Sequence, residues 1–300
     1  MDAIKLKLKR VFLGPGGVRA GWRFAVFAAL WYIWGYVSVP LMSLFYNFSD
    51  TASFFTPFGN LVSTLIDAAF MLLVSVVLVR LEKHRISWFG LGWGPDTLKL
   101  FAIGCLWGFA MVTLLLLASA LGGRVSVAGL AEHGGEFWKY LGLWSAGMLL
   151  VGIDEELQLR GYPLAALTRG IGFWPAAVIL SILFGADHLS KPMENVPDIL
   201  NIVLFGLFCC YTVRRTGSLW LAIGFHAAFD FFALSFYGSP NTGADGRPLE
   251  HHLLDTHIAG PAWLTGGPQG LETSWLVAPL TLLMFFLLHK LYPENKYPRD

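Results

Sequence analysis

Charged residues are scarce in this 300-residue chain, at 14%, where a soluble domain carries about 25%. Hydrophobic residues make up 55%, and the mean hydropathy is +0.59. A soluble globular fold is thereby excluded, and the composition is that of a polytopic membrane protein. The net charge of +1 lacks the basic excess of a nucleic-acid partner. The cysteines, Cys105, Cys209 and Cys210, all fall inside apolar runs. None is placed to staple an exposed loop, so they read as small core hydrophobes. Internal repeats and low-complexity tracts are missing too. No serine sits in a Gly-x-Ser-x-Gly setting within an apolar run and no cysteine adjoins a histidine, which removes the obvious nucleophiles of covalent catalysis.

What is present is a series of apolar runs at roughly 24–45, 60–79, 100–121, 140–167, 173–189, 197–213, 218–237 and 275–289. Each is of spanning or near-spanning length, so the expectation is an all-α polytopic fold of about eight transmembrane helices. The first run is too long for the apolar core of a secretory signal and is taken as a permanent span. With the N-terminus cytoplasmic, the alternation of sides leaves only Arg124, Lys139, Lys191 and Arg247 of the 21 basic residues outside. That division satisfies the positive-inside rule and puts both termini in the cytoplasm of a plasma or inner membrane. Residues 1–23, with Lys5, Lys7, Lys9, Arg10, Arg19 and Arg23, form a basic segment suited to anionic lipid. Trp22, Trp88, Trp93, Trp138, Trp220 and Trp275 stand near span ends, as interfacial anchors do.

The organisation expected is therefore a basic segment at 1–23, three spans and their loops at 24–139, a core at 140–238, an extracytoplasmic loop at 239–274, and a last span with a short tail at 275–300. The loop carries His251, His252, Asp255 and His257. These lack regular ligand spacing and read as solvated or packed side chains rather than a metal site.

Chemistry concentrates in the core. Asp154 to Arg160 sets four charges inside an apolar helical run, where ionised groups are costly and default to function. Glu156 and Arg160 share a helix face at i and i+4 and can pair. Glu155, about 100° around the helix, is left without an intrahelical cation and can act on water. Two further pairs share that spacing: Phe184 with His188, and His226 with Asp230. Glu155 and His188 lie level in a hairpin that turns near residue 171 or 172. In this arrangement Glu155 is a general base, His188 shares its water or binds a metal holding it, and His226, steadied by Asp230, donates to an oxyanion. Asp67, alone in the second span, reads as a polar group hydrogen-bonded at a helix interface.

The ordered set Glu155-Glu156-x-x-x-Arg160, Phe184-x-x-x-His188 and His226-x-x-x-Asp230 resembles the CAAX-prenyl protease and bacteriocin-processing family of intramembrane proteases, also called the Abi family. The resemblance covers roughly 140–238. It implies an eight-helix endopeptidase core in which Glu155 and His188 activate water. It further implies that His226 and residue 230 stabilise the oxyanion, with Glu156 and Arg160 as structural or substrate-orienting partners. Many relatives carry Asn where this chain has Asp230, and an aspartate is the better metal ligand. The family is described both as glutamate-dependent and as metal-dependent, so a divalent metal such as Zn2+ on His188, His226 and Asp230 stands as one version of the site. Peptides or lipid-modified proteins are the implied substrates. The competing reading is a non-enzymatic immunity or transport protein that uses the same buried charges as an ion or proton relay.

Overall fold

The computed structural model describes residues 11–14, 17–48, 50–122, 125–189, 193 and 196–297. Lys5, Lys7, Lys9, Arg10, Arg124, Lys191 and Arg299 lie outside them. After a short ladder of β1 (Leu13–Gly14) and β2 (Gly17–Val18), helix α1 spans Ala20–Met42, α2 Pro57–Leu81 and α3 Thr97–Leu121. Helix α2 has a well-defined start: the Thr56 side chain accepts from Gly59 N–H at 3.1 Å, and Pro57 occupies the first turn, where no N–H is required. Strand β3 (Val125–Leu130) precedes α4 (Gly134–Leu159), α5 (Tyr162–Ile171), α6 (Phe173–His188), α7 (Val196–Thr216) and α8 (Trp220–Asp230). Strand β4 (Leu254–Ile258) and α9 (Val277–Leu291) complete the main elements.

The protein is an integral membrane protein with a helical, polytopic fold. By length and composition, α1, α2, α3 and α7 can cross a membrane, and α6, α9 and the run Trp220–Phe236 are shorter apolar helices. The expected span at 140–167 is not one helix. Arg160 caps α4, Gly161 leaves helical geometry, and Pro163 lies in the first turn of α5. Pro163 has no N–H to donate to the Leu159 carbonyl and its ring would clash with that carbonyl in a continuous helix, which breaks the run. The hairpin turn expected near 171 or 172 lies at Gly172, whose φ of 83° is left-handed and suits glycine.

Close packing fixes the core. Gly104 and Gly108 of α3 face the α8 backbone near Leu221 and Phe225, where a side chain would collide. A pair of glycines four residues apart lets two helices approach to backbone contact. Gly152 of α4 meets α8 in the same way, its missing Cβ lying 3.0 Å from Ala227 N and Ile223 O. That approach sets α4 beside α8 one turn from Glu156.

One end of the bundle holds both Arg23 and Lys296. Arg23 Nη1 pairs with Glu82 Oε2 at 2.7 Å, and Tyr162 donates to the same carboxylate. Leu219 N–H donates to Gly90 O at 2.9 Å, and Lys296 N–H to Arg214 O at 2.9 Å. Trp88 belongs here and is buried at 8% exposure, stacked flat on His84. It is therefore no interfacial anchor, whereas Trp22, Trp93, Trp138 and Trp275 are exposed. At the other end β3 pairs antiparallel with β4, Ser126 opposite His257 and Leu130 opposite Leu254, with an irregularity between Val127 and Gly129. The segment at 239–274 is thus built rather than plain loop. His251 Nδ1 bonds Glu132 Oε1 at 2.6 Å, and His252 Nδ1 bonds Leu249 O at 2.8 Å. These two histidines are engaged separately, on different partners.

Candidate active site

Helices α4 and α8 carry the centre of the site. Glu156 and Arg160 are both fully buried and pair at 3.3 Å, as their spacing requires. Arg160 also lies over the Phe184 ring, 4.3 Å from its centroid, bringing α6 to the same level. His226, 4% exposed, projects from α8 between these groups. Its Nδ1 donates to Glu156 Oε1 at 2.9 Å. Its Nε2 faces Glu155 Oε2 and Asp230 Oδ2, each at 3.6 Å.

The imidazole is therefore anchored through Glu156, not steadied chiefly by Asp230 as the i, i+4 spacing suggests. That bond joins residues 70 apart in sequence, so no local pattern announces it. Phe205 packs edge-on against the His226 ring at 5.0 Å and closes its apolar side. His188, the last residue of α6, donates from Nδ1 to the Phe184 carbonyl oxygen, 3.0 Å away. Since a carbonyl only accepts, Nδ1 carries the proton and Nε2 is the basic nitrogen of the neutral ring.

Glu155, His188, His226 and Asp230 line one cavity of about 290 Å³. A second pocket of about 70 Å³ adjoins it, sharing His188, His226, Asp230 and Glu272 and extending to Asp198 and Asn201. Toward the end that holds Arg23 and Lys296 the site is closed by Glu156, Arg160, Phe208, Cys210 and Phe225, all at 0% exposure. Its remaining walls rise through Asp154 and Asp67 to Asn60, Phe55, Asn241 and Leu249, at the end of the β3–β4 ladder. Helix α8 continues beyond Asp230 as a π-helical turn, Phe231–Phe236. Such turns are frequent at functional sites.

Three carboxylates of this cavity are not among the motif residues. Asp67 accepts from Trp34 Nε1 at 2.6 Å, the interface bond expected of it, and also faces the cavity. Asp154 adjoins Glu155 in sequence. Glu272 approaches from the segment before α9, where its sequence gives no signal. Among the described residues no group of three or more His, Cys, Asp or Glu side chains is arranged to hold a metal ion. His226 Nδ1 is committed to Glu156, and His188, His226 and Asp230 do not form the three-ligand set expected of a Zn2+ site.

The order of the motifs along α4, α6 and α8, with their convergence on one cavity, can be set against known families. Residues 137–232 match the type II CAAX prenyl endopeptidase Rce1-like family. The Rce1-like stretch contains Glu155, Glu156, Arg160, His188, His226 and Asp230, and the resemblance read from the motifs agrees with it. A curated relative, the uncharacterized protein YyaK of Bacillus subtilis, is 31% identical over 134 residues, or 42% of this chain. The aligned stretch spans 43% of that relative, less than half its length. No solved structure matches the chain. Asp67 and Glu272 lie outside the Rce1-like stretch and reach its cavity through the fold.

Proposed function

We propose that the protein is an intramembrane endopeptidase that hydrolyses a peptide bond with a water activated by Glu155 and His188. The observation that carries this reading is the meeting of Glu155, His226 and Asp230 within 3.6 Å contacts on the wall of a cavity that His188 also lines. Water in that cavity loses a proton to Glu155, and its oxygen attacks the scissile carbonyl carbon. His188 Nε2 can accept a hydrogen bond from the same water and hold it in line.

Negative charge then develops on the carbonyl oxygen. With Nδ1 bonded to Glu156, a protonated His226 presents its Nε2–H to that oxygen, and the surrounding carboxylates hold the imidazolium in place. Collapse of the tetrahedral intermediate breaks the C–N bond, and the proton held by Glu155 passes to the leaving amine. Glu156 and Arg160 do not touch the substrate. They position His226 from the buried side of α4.

A protein or lipid-modified protein is the substrate class that an Rce1-like domain implies. The division of basic residues favours a cytoplasmic side for Arg23 and Lys296, and the closed end of the cavity is the end that holds them. On that orientation peptide enters from the extracytoplasmic side. The test is purified protein in liposomes with a panel of membrane-inserting peptides, the products read by mass spectrometry. Cleavage at a defined bond supports the hydrolase, whereas pH-dependent ion flux with every peptide intact overturns it in favour of a relay.

A further inference from the structure

Glu272 lies beyond the Rce1-like stretch, and the activation of water makes no use of it. It lines both the cavity of about 290 Å³ and the adjoining pocket of about 70 Å³, and the residues it shares that position with are His188, His226 and Asp230. Glu155 borders the larger cavity from the wall of α4 and does not reach the smaller pocket. Glu272 therefore stands at the junction, on the side of α7, where Asp198, Asn201 and Phe205 line the smaller pocket.

The turn that carries it is held from several sides. Leu271–Thr273 form one tight helical turn, with Leu271 and Ser274 at 0% exposure. Leu271 N–H donates to Ser239 Oγ at 2.9 Å, and Ser274 Oγ donates to Leu264 O at 2.6 Å. Helix α7 clasps the same turn: Asn201 Nδ2 donates to Ser274 O at 3.1 Å, and Asp198 Oδ2 accepts from Gln269 Nε2 at 2.8 Å. Gly270, at a left-handed φ of 88°, makes the sharp entry, and a Cβ there would collide with Pro240 O. The residues on either side of Glu272 thus fix the backbone, and what the turn presents to the cavity is the carboxylate. A group placed on so constrained a support suits chemistry that depends on orientation.

A scissile amide brings two polar groups into the site, and in a trans peptide its N–H and C=O point in opposite directions. The hydrolase reading gives the carbonyl oxygen to His226, and the buried N–H also requires a partner. We propose that Glu272 is that partner: its carboxylate accepts the N–H of the bond being cleaved, at the junction of the two pockets. The inference rests on the hydrolase reading and deepens it by adding a residue that touches the leaving group. An ionised carboxylate has two oxygens and about four acceptor sites, so contacts that Glu272 makes within the protein leave room for this bond. In the tetrahedral intermediate the nitrogen takes the proton held by Glu155 and becomes positively charged. The C–N bond then breaks, its electron pair going to nitrogen as the oxyanion re-forms the carbonyl, and the neutral amine departs. The hydrogen bond to Glu272 is strongest while the nitrogen is cationic, so it lowers the barrier more than it tightens binding. Glu272 itself neither gains nor loses a proton.

The test replaces the scissile amide by an ester, which keeps the carbonyl and removes the N–H. The peptide found cleaved in liposomes and its matching depsipeptide are first bound to the Glu155→Gln protein in detergent and followed by anisotropy. The peptide is expected to bind about threefold to tenfold more tightly than the ester, and Glu272→Gln added to Glu155→Gln is expected to remove that preference. Both compounds are then offered to wild type and to Glu272→Gln in liposomes. For the peptide kcat/KM is expected to fall about thirtyfold or more, chiefly in kcat, while for the ester it stays within about threefold. Glu272→Asp keeps the charge but withdraws it by one methylene; it is expected to fall between the two and carries the test if Glu272→Gln does not fold. A loss shared equally by peptide and ester is a structural effect and overturns the assignment, as does a peptide preference that survives Glu272→Gln. Cleavage indifferent to Glu272 removes the assignment and leaves the hydrolase, whereas a wild type that cleaves neither compound removes both.

Discussion

Replacing Arg160 with methionine removes the cation from a pair whose two members are fully buried. Glu156 is then left in the core with His226 Nδ1 as its remaining partner at 2.9 Å. Breaking a buried pair by deleting one partner costs about 3–5 kcal/mol, because the other charge stays desolvated, while replacing both by apolar groups is often neutral. Loss of the stack on Phe184, 4.3 Å from the guanidinium carbon, adds about 0.5–2 kcal/mol. Arg160→Met should therefore unfold more easily by about 3–5 kcal/mol or more, and Glu156→Leu by a similar amount. The double variant Glu156→Leu/Arg160→Met should return to within about 1 kcal/mol of the wild type, yet stay inactive because His226 has lost its anchor. Titration with SDS in mixed micelles measures all four species, and a cleavage assay is run on the folded ones. A cost below about 1 kcal/mol for Arg160→Met, or full activity in the double variant, would refute the positioning role of the pair.

Gly152→Ala places a Cβ 3.0 Å from Ala227 N and Ile223 O; overpacking of about 1–3 kcal/mol, offset by about 1 kcal/mol of helix propensity, should leave the protein folded. The shift of α8 should nevertheless lower kcat/KM by about tenfold or more, and unchanged kinetics would sink the argument for close approach. Just beyond the C-terminus of α2, burial first and the charge of Arg169 second push the His84 imidazole below its usual value of 6.5. The folded protein thus binds this proton less readily than the unfolded chain, so the contribution to stability is complete above 6.5 and shrinks as pH falls through it toward the lower folded value. His84→Phe should therefore flatten the loss of stability between about pH 7 and pH 5, and an unaltered slope would count against it.

Spacing alone was enough to pair Glu156 with Arg160 and to set the hairpin turn beside Gly172, because both depend on neighbours within a few residues. The anchor of His226 was not legible, since Glu156 lies 70 residues away and only packing at Gly152 brings the two together. Hydropathy ran the apolar stretch through Arg160 to residue 167, whereas backbone geometry at Gly161 and Pro163 ends the helix there. Position near a span end made Trp88 read as an interfacial ring, but its stack on His84 and its burial place it in the core. Glu272 carried no signal at all. It reaches the cavity because the segment after β4 folds back over α7, where Asn201 donates to Ser274 O at 3.1 Å.

The most direct measurement compares wild type with Glu155→Gln, reconstituted side by side and offered the same cleaved peptide. The account predicts that the amide, which cannot take the proton of water, abolishes hydrolysis while the protein keeps its fold, its SDS midpoint and its affinity for the peptide. Hydrolysis by Glu155→Gln at a rate near that of the wild type would contradict the assignment of Glu155 as the base.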